Sequence, residues 1–212
     1  MTDSGRVRVK ICGLTRWEDA DLAIRLGADA VGFVLWDRSP RHLPPSEAAG
    51  ILARLPPFVT RVGVVVDMPP EAVGASAREA GLDAVQLHGD ESIAPYRGLP
   101  VRLIKAVTLE QDEDVEAALA LPLDVAILVD AADRARRGGT GQRANWTRAA
   151  ELARTRQVVL AGGLTAETVV EAVERVRPWA VDVSSGVEQS PGIKSSKRME
   201  AFFRAVEATC LQ

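Results

Sequence analysis

An α/β fold is predicted by three features of the sequence. Eight short apolar runs recur at fairly even spacing, at 7–11, 30–35, 61–66, 84–87, 101–106, 125–129, 158–161 and 180–183. Each is rich in Val, Ile or Leu and nearly continuous rather than alternating, as parallel strands covered on both faces should be. Between them lie segments with helical periodicity, and no composition break or linker interrupts the 212 residues. Roughly 26 residues per strand–helix unit, repeated eight times, suits a closed (β/α)8 (TIM) barrel, expected as one domain over residues 1–212. The alternative is an open doubly wound sheet. Its Gly-x-Gly-x-x-Gly turn is missing, because the first strand is followed by Cys12-Gly13-Leu14-Thr15.

Taken in order, the helices carry their own start and stop signals. Thr15-Arg16-Trp17-Glu18 reads as a capping box before 20–26, with Gly27 as the stop. A helix at 46–55 follows the second strand. Pro69-Pro70-Glu71 fits the first turn of a helix that ends at Gly81. The segment 91–96 is short and forms the weakest unit. Thr108-Leu109-Glu110-Gln111 reads as a second capping box, opening 112–120. Helices at 146–154, 166–176 and 197–208 complete the set. Gly27-Ala28-Asp29-Ala30-Val31 and Gly81-Leu82-Asp83-Ala84-Val85 share a Gly-x-Asp-Ala-Val pattern two units apart. Each would be a helix end, a tight turn and a strand start, so the repeat agrees in phase with the strand count.

Composition narrows the function. A chain 47% hydrophobic and 26% charged is ordinary for a globular protein, which excludes disorder, collagen and coiled coil. A chain of this length buries about 70% of its surface on folding, so the core needs no staples. A net charge of −3 argues against broad nucleic-acid binding, which usually needs a basic surface. Cys12 and Cys210 are too few for a disulfide scaffold or a metal cluster. No apolar run precedes Val7, and no stretch reaches the roughly 18 apolar residues of a membrane span. The expectation is a cytoplasmic protein with no membrane partner.

In a barrel the chemistry collects at the carboxyl ends of the strands. The first strand ends at Lys10-Ile11-Cys12-Gly13, where a thiolate can serve as base or nucleophile, or the cysteine can be a small core residue. The sixth ends at Leu128-Val129-Asp130, a carboxyl group placed either for general acid work or for an N-cap or loop salt bridge. After the second strand, Arg38 and Arg41 offer forks for a carboxylate, unless they are solvated surface arginines. His88, in Gln86-Leu87-His88-Gly89, either donates to a substrate or satisfies its loop; His42 reads as a bystander. Three late clusters, Gly138-Gly139-Thr140-Gly141, Ala161-Gly162-Gly163-Leu164 and Asp182-Val183-Ser184-Ser185-Gly186, suit an anion site built from backbone. Such a site needs few lysines, which fits the acidic balance, and the last two clusters fall in the usual phosphate loops of this fold.

Six motifs in register resemble one family. Lys10-Ile11-Cys12-Gly13, Ser39-Pro40-Arg41, Val85-Gln86-Leu87-His88-Gly89, Gly138-Gly139-Thr140-Gly141, Leu160-Ala161-Gly162-Gly163-Leu164 and Asp182-Val183-Ser184-Ser185-Gly186-Val187-Glu188 occur in order. Together, over 7–203, they resemble the phosphoribosylanthranilate isomerases of tryptophan biosynthesis. The resemblance implies a cofactor-free, metal-free barrel that carries out an Amadori rearrangement on a small phosphoribosyl substrate. It implies Cys12 as general base, Asp130 as general acid and Arg41 as the holder of the anthranilate carboxylate. It also implies phosphate loops at Gly139, Gly141, Gly162, Gly163, Ser184, Ser185 and Gly186, and places Asp182 near the sugar; His88 is the further substrate-binding candidate. The chain is expected to act as a monomer or homodimer. Two departures stand out: Ser195 follows Pro191-Gly192-Ile193-Lys194 where the family usually has Asp, and Leu35 stands where it often has an aromatic residue. Serine can still cap the last helix.

Two other readings compete. A different phosphate-binding barrel, an indole-glycerol-phosphate synthase or a pentose-phosphate epimerase, would need a catalytic lysine with glutamates at strand ends, or metal-ligating histidines, and only two histidines exist. A non-catalytic phosphosugar-binding module would keep the loops and leave Cys12 and Asp130 dispensable.

Overall fold

The computed structural model describes residues 6–130 and 145–209. The chain runs β1 (Arg8–Ile11), α1 (Trp17–Arg25), β2 (Ala30–Val34), α2 (Pro45–Leu52), β3 (Thr60–Val65), α3 (Pro70–Ala80) and β4 (Ala84–Leu87). It continues with β5 (Arg102–Val107), α4 (Asp112–Leu119), β6 (Ala126–Val129), α5 (Trp146–Ala153), β7 (Val158–Leu160), α6 (Val169–Val176) and β8 (Ala180–Val183). A short hairpin, β9 (Glu188–Ser190) and β10 (Ile193–Lys194), precedes α7 (Ser196–Ala208). Strands β1 to β8 pair in parallel in chain order, and β1 also pairs β8, which closes the barrel. After β4 a 3-10 turn at Ala94–Tyr96 stands where the other units have an α-helix, so the segment read as weakest is also the most reduced.

Alternate residues of each strand face opposite sides of the sheet, and the two sides differ. The larger core lies between barrel and helices and takes Ile11, Val31, Phe33, Val85, Ile127 and Val181 from the strands. Inside the barrel a smaller cluster joins Leu128, Val159, Ala161 and Ala180, with Ile104 and Ala106 packed on it. Lys10, Gln86 and Asp182 are buried as well, and they link to one another across the lumen. Gly32 makes room for them. A Cβ there would stand 2.9 Å from Cys12 Sγ and 3.1 Å from Lys10 Cε.

Both expected capping boxes shift. The Thr15 hydroxyl donates to Gly192 O at 2.6 Å instead of capping α1, whose N-cap is Arg16. Tying the β1 loop to the hairpin takes the group that would have capped. In α4 the N-cap is Gln111, and the Asp114 carboxylate accepts from the backbone of Glu110 and Gln111 at 2.8 Å each. The box therefore exists, three residues later than the Thr108 pattern suggests. Helix α6 also starts late, because the Thr168 hydroxyl accepts from Thr165 N and folds that stretch into a turn. Gly81 ends α3 at φ 69°, a left-handed conformation that glycine adopts without penalty. Among the described residues no helix is long and apolar enough to cross a membrane.

Candidate active site

Cys12 follows directly on β1 and is buried, with its N–H donating to Val183 O at 2.9 Å. The next residue, Gly13, turns the chain at φ 71°. A side chain there would meet Arg41 Cδ at 2.6 Å and Ser184 Oγ at 2.8 Å, so the loops after β1, β2 and β8 converge at that glycine. Burial pushes the Cys12 thiol above its ordinary range; the Lys10 ammonium works against this, while Asp182 adds to it.

Asp130 follows directly on β6, three strands from β1 by way of β7 and β8. Its Oδ2 lies 3.3 Å from His88 Nε2. His88 Nδ1 meets Gln86 Nε2 at 2.7 Å, and Gln86 Oε1 accepts from Lys10 Nζ at 3.1 Å. Lys10 Nζ also donates to Asp182 Oδ1 at 3.0 Å, a buried pair. One polar strip thus crosses the lumen from Asp182 through Lys10, Gln86 and His88 to Asp130. Burial alone would lower the lysine's pKa, but Asp182 and Cys12 more than offset it, so Lys10 is held charged.

The anion side is built differently. One cavity is lined by Asp130, Gly162, Gly163, Asp182, Ser184, Ser185 and Gly186, among others. Gly162 and Gly163 adopt φ 81° and φ 63°. At Gly186 a Cβ would stand 1.9 Å from Leu164 O, so the loops after β7 and β8 touch backbone to backbone. Gly139 and Gly141 lie outside the described residues, so of the three glycine clusters two are seen together.

Arg41 sits at the mouth but is already engaged. Its Nε and Nη2 donate to Glu188 Oε1 at 2.8 Å and Oε2 at 2.7 Å. A ligand carboxylate must therefore approach the other end of the guanidinium. Glu188 also accepts from Lys194 Nζ at 2.8 Å, and that fully buried ammonium donates to Cys12 O at 2.6 Å and Ser184 O at 3.2 Å. Burial alone would raise the Glu188 carboxyl, but Arg41 and Lys194 reverse this and hold it below the usual carboxylate range.

Sequence reasoning gave Lys10, Gln86, Glu188 and Lys194 no role. For the first two a signal was available. Lys10 stands two residues before Cys12, and Gln86 two before His88, so each shares a strand face with a candidate and interrupts an apolar run. Glu188 and Lys194 had no such signal, because the hairpin that joins them has no counterpart in the barrel pattern. Among the described residues no group of three or more His, Cys, Asp or Glu is placed to hold a metal ion.

Comparison with known proteins adds a family. A family model described as N-(5'-phosphoribosyl)anthranilate (PRA) isomerase matches residues 9–205. The N-(5'-phosphoribosyl)anthranilate isomerase of Geobacter sulfurreducens is 47% identical over 198 residues, covering 93% of this chain and 97% of that protein. Among solved structures, phosphoribosyl anthranilate isomerase from Thermotoga maritima superposes with a TM-score of 0.88 at 42% identity, over 95% of this chain and 99% of that one. A phosphoribosyl anthranilate isomerase in complex with reduced 1-(o-carboxyphenylamino)-1-deoxyribulose 5-phosphate gives a TM-score of 0.85 at 41% identity, with the same coverage.

Proposed function

The chain belongs to the N-(5'-phosphoribosyl)anthranilate isomerase family, and we propose that Cys12 and Asp130 carry the two proton transfers of its reaction. The activity is the rearrangement of N-(5'-phosphoribosyl)anthranilate to 1-(2-carboxyphenylamino)-1-deoxyribulose 5-phosphate, in tryptophan biosynthesis. Asp130 gives a proton to the furanose ring oxygen as the C1–O bond breaks and the nitrogen lone pair forms C=N. The iminium acidifies the proton on C2, and the Cys12 thiolate removes it, leaving an enolamine. Protonation at C1 and loss of the C2 hydroxyl proton then give the ketone.

The observation that carries this reading is the cavity that joins Asp130 to the paired glycine loops. A sugar whose 5-phosphate rests on Gly162, Gly163, Ser184, Ser185 and Gly186 has its ring beside Asp130. The polar strip that ends at Asp130 begins beside Cys12. Asp182 lines the same cavity and His88 stands behind Asp130, and Arg41 holds the anthranilate carboxylate with the guanidinium end that Glu188 leaves open. Gly139 and Gly141, which the resemblance assigns to the same phosphate, lie outside the described residues. The same reading puts the reaction in the cytoplasm, in one domain spanning the chain, acting as a monomer or homodimer that sedimentation equilibrium tells apart.

The test is a fluorescence assay with freshly generated substrate. Cys12→Ser and Asp130→Asn are each expected to lower kcat by at least about 10²-fold, with product-analogue affinity kept within about tenfold. Unchanged turnover in either variant removes that residue from its role. The assay is expected to be insensitive to chelator, and inhibition by chelator would sink the metal-free scheme.

A further inference from the structure

The polar strip inside the barrel has a fixed direction. An ammonium has donors and no acceptor. Lys10 therefore claims the oxygen of the Gln86 amide, at 3.1 Å, and leaves the nitrogen to face His88. Gln86 Nε2 donates to His88 Nδ1 at 2.7 Å. A neutral imidazole that accepts at Nδ1 carries its proton on Nε2, and that atom lies 3.3 Å from Asp130 Oδ2. Each link is set by the one before it, and the first is set by a group with a single polarity.

Beside the lysine end of the strip lies the thiol. Cys12 and Lys10 occupy the space that Gly32 leaves open in β2. Among the described residues, the charged groups facing Cys12 are Lys10 on its own strand, Asp182 on β8, Lys194 on β10 and Arg41 from the loop after β2. Lys10 has the largest effect of these, and it opposes the burial that disfavours a thiolate.

We propose that Lys10 and Gln86 are positioning residues for the isomerisation: Lys10 stabilises the Cys12 thiolate and, through Gln86, holds His88 in the tautomer that donates to Asp130. This rests on the assignment of Cys12 and Asp130 as base and acid. Lys10 and Gln86 keep their own protons throughout. Once Asp130 has protonated the ring oxygen, its new charge receives the His88 Nε2–H. When Cys12 is ionised, its charge sits beside the ammonium. The arrangement also accounts for two polar side chains in the middle of apolar strands, where burial is costly unless every hydrogen bond is made.

The two ends are read separately. In a Cys210→Ser background Cys12 is the one remaining thiol, and its ultraviolet thiolate absorbance follows its titration directly. Lys10→Met is expected to raise the midpoint by at least about one pH unit and to lower kcat at neutral pH by about tenfold or more, with KM within about threefold. Because that variant leaves Asp182 unpaired, Lys10→Met/Asp182→Asn is measured beside it, with a smaller rise in the same direction expected. A midpoint that stays put in the folded variants overturns the thiol half. Gln86→Glu offers His88 an acceptor in place of a donor, so ¹⁵N NMR of the ring is expected to switch from the Nε2–H to the Nδ1–H tautomer. A ring that keeps its proton on Nε2 overturns the relay. A fully active Cys12→Ser overturns the underlying base assignment and the proposal with it. An unmoved titration beside an inactive Cys12→Ser overturns the proposal alone.

Discussion

The two halves of the site are made of different material. The acid–base half is built from side chains: Cys12, Lys10, Gln86, His88 and Asp130 stand on β1, β4 and β6 or just beyond them, and each hydrogen bond fixes the next. The anion half is built from backbone, with left-handed glycines after β7 and a loop after β8 that touches it closely enough to exclude a Cβ. A side-chain half fails by losing atoms, and a backbone half fails by gaining them. The polar strip holds Lys10 and Asp182 together as a buried pair, whereas the proposed phosphate site would take its donors chiefly from main chain.

This contrast orders the expected effects. The largest outside the acid and base themselves falls on Gly186→Ala. One methyl group must enter where Leu164 O already stands at 1.9 Å, so the two phosphate loops have to part. KM is expected to rise by at least about tenfold with kcat reduced less, the pattern of lost binding shared by ground and transition states. A Gly186→Ala enzyme with unchanged KM would break the claim that backbone contact shapes this half. Arg41→Ala comes next. Its loss is expected mainly in KM, about tenfold, for the anthranilate-bearing substrate. An equal loss with a ligand that lacks the carboxylate contradicts the clamp.

The contrast also governs what could be read from the chain. All eight strands were legible, because a parallel sheet covered on both sides shows as continuous apolar runs, and the structure keeps each within a residue or two of its expected place. The positions of Cys12, Asp130 and the clusters at 162–163 and 184–186 were legible because they punctuate strand ends, and the structure puts them there. Lys10 and Gln86 were overlooked because a lone polar residue within a strand looks like noise until its partners on other strands are known. The Glu188–Lys194 pairing depends on a hairpin that no strand–helix period predicts. The cap of α1 was misplaced because Thr15 was claimed by a contact with Gly192, far along the chain, that local pattern does not encode.

Glu188 joins the two halves, since it holds Arg41 and, through Lys194, the carbonyls of Cys12 and Ser184. Its carboxyl is held below the usual range in the folded protein, net of a burial that acts the other way. A depressed carboxyl stabilises the fold above its unfolded value, about 4.3, and that contribution is lost as pH falls through the lower folded value. Glu188→Gln is therefore expected to flatten the decline in stability below about pH 4, as followed by denaturant unfolding across a pH series. Wild-type and variant curves that stay parallel through that range would place the acid sensitivity elsewhere.

The smallest effect belongs to Ser195, behind the anion half. Its hydroxyl accepts from Arg198 N at the start of α7, and its own N–H donates to Val187 O at 2.8 Å. That start of α7 carries Lys197 and Arg198, which line a second cavity against Gly163, Ser185 and Gly186. Ser195→Ala removes one cap, so a loss of about 1 kcal/mol in unfolding free energy is expected, with kcat within about twofold. Ser195→Asp restores the family's usual residue. Aspartate caps as well as serine, and its charge suits the positive end of the helix by about 0.3–1 kcal/mol, so this variant is expected to match or exceed the parent in stability. If Ser195→Ala leaves the unfolding free energy unchanged, the hydroxyl is not acting as a cap. If Ser195→Asp destabilises the protein by as much as Ser195→Ala, this start of α7 accepts a hydroxyl and not a carboxylate, and the backbone half depends on a particular side chain after all.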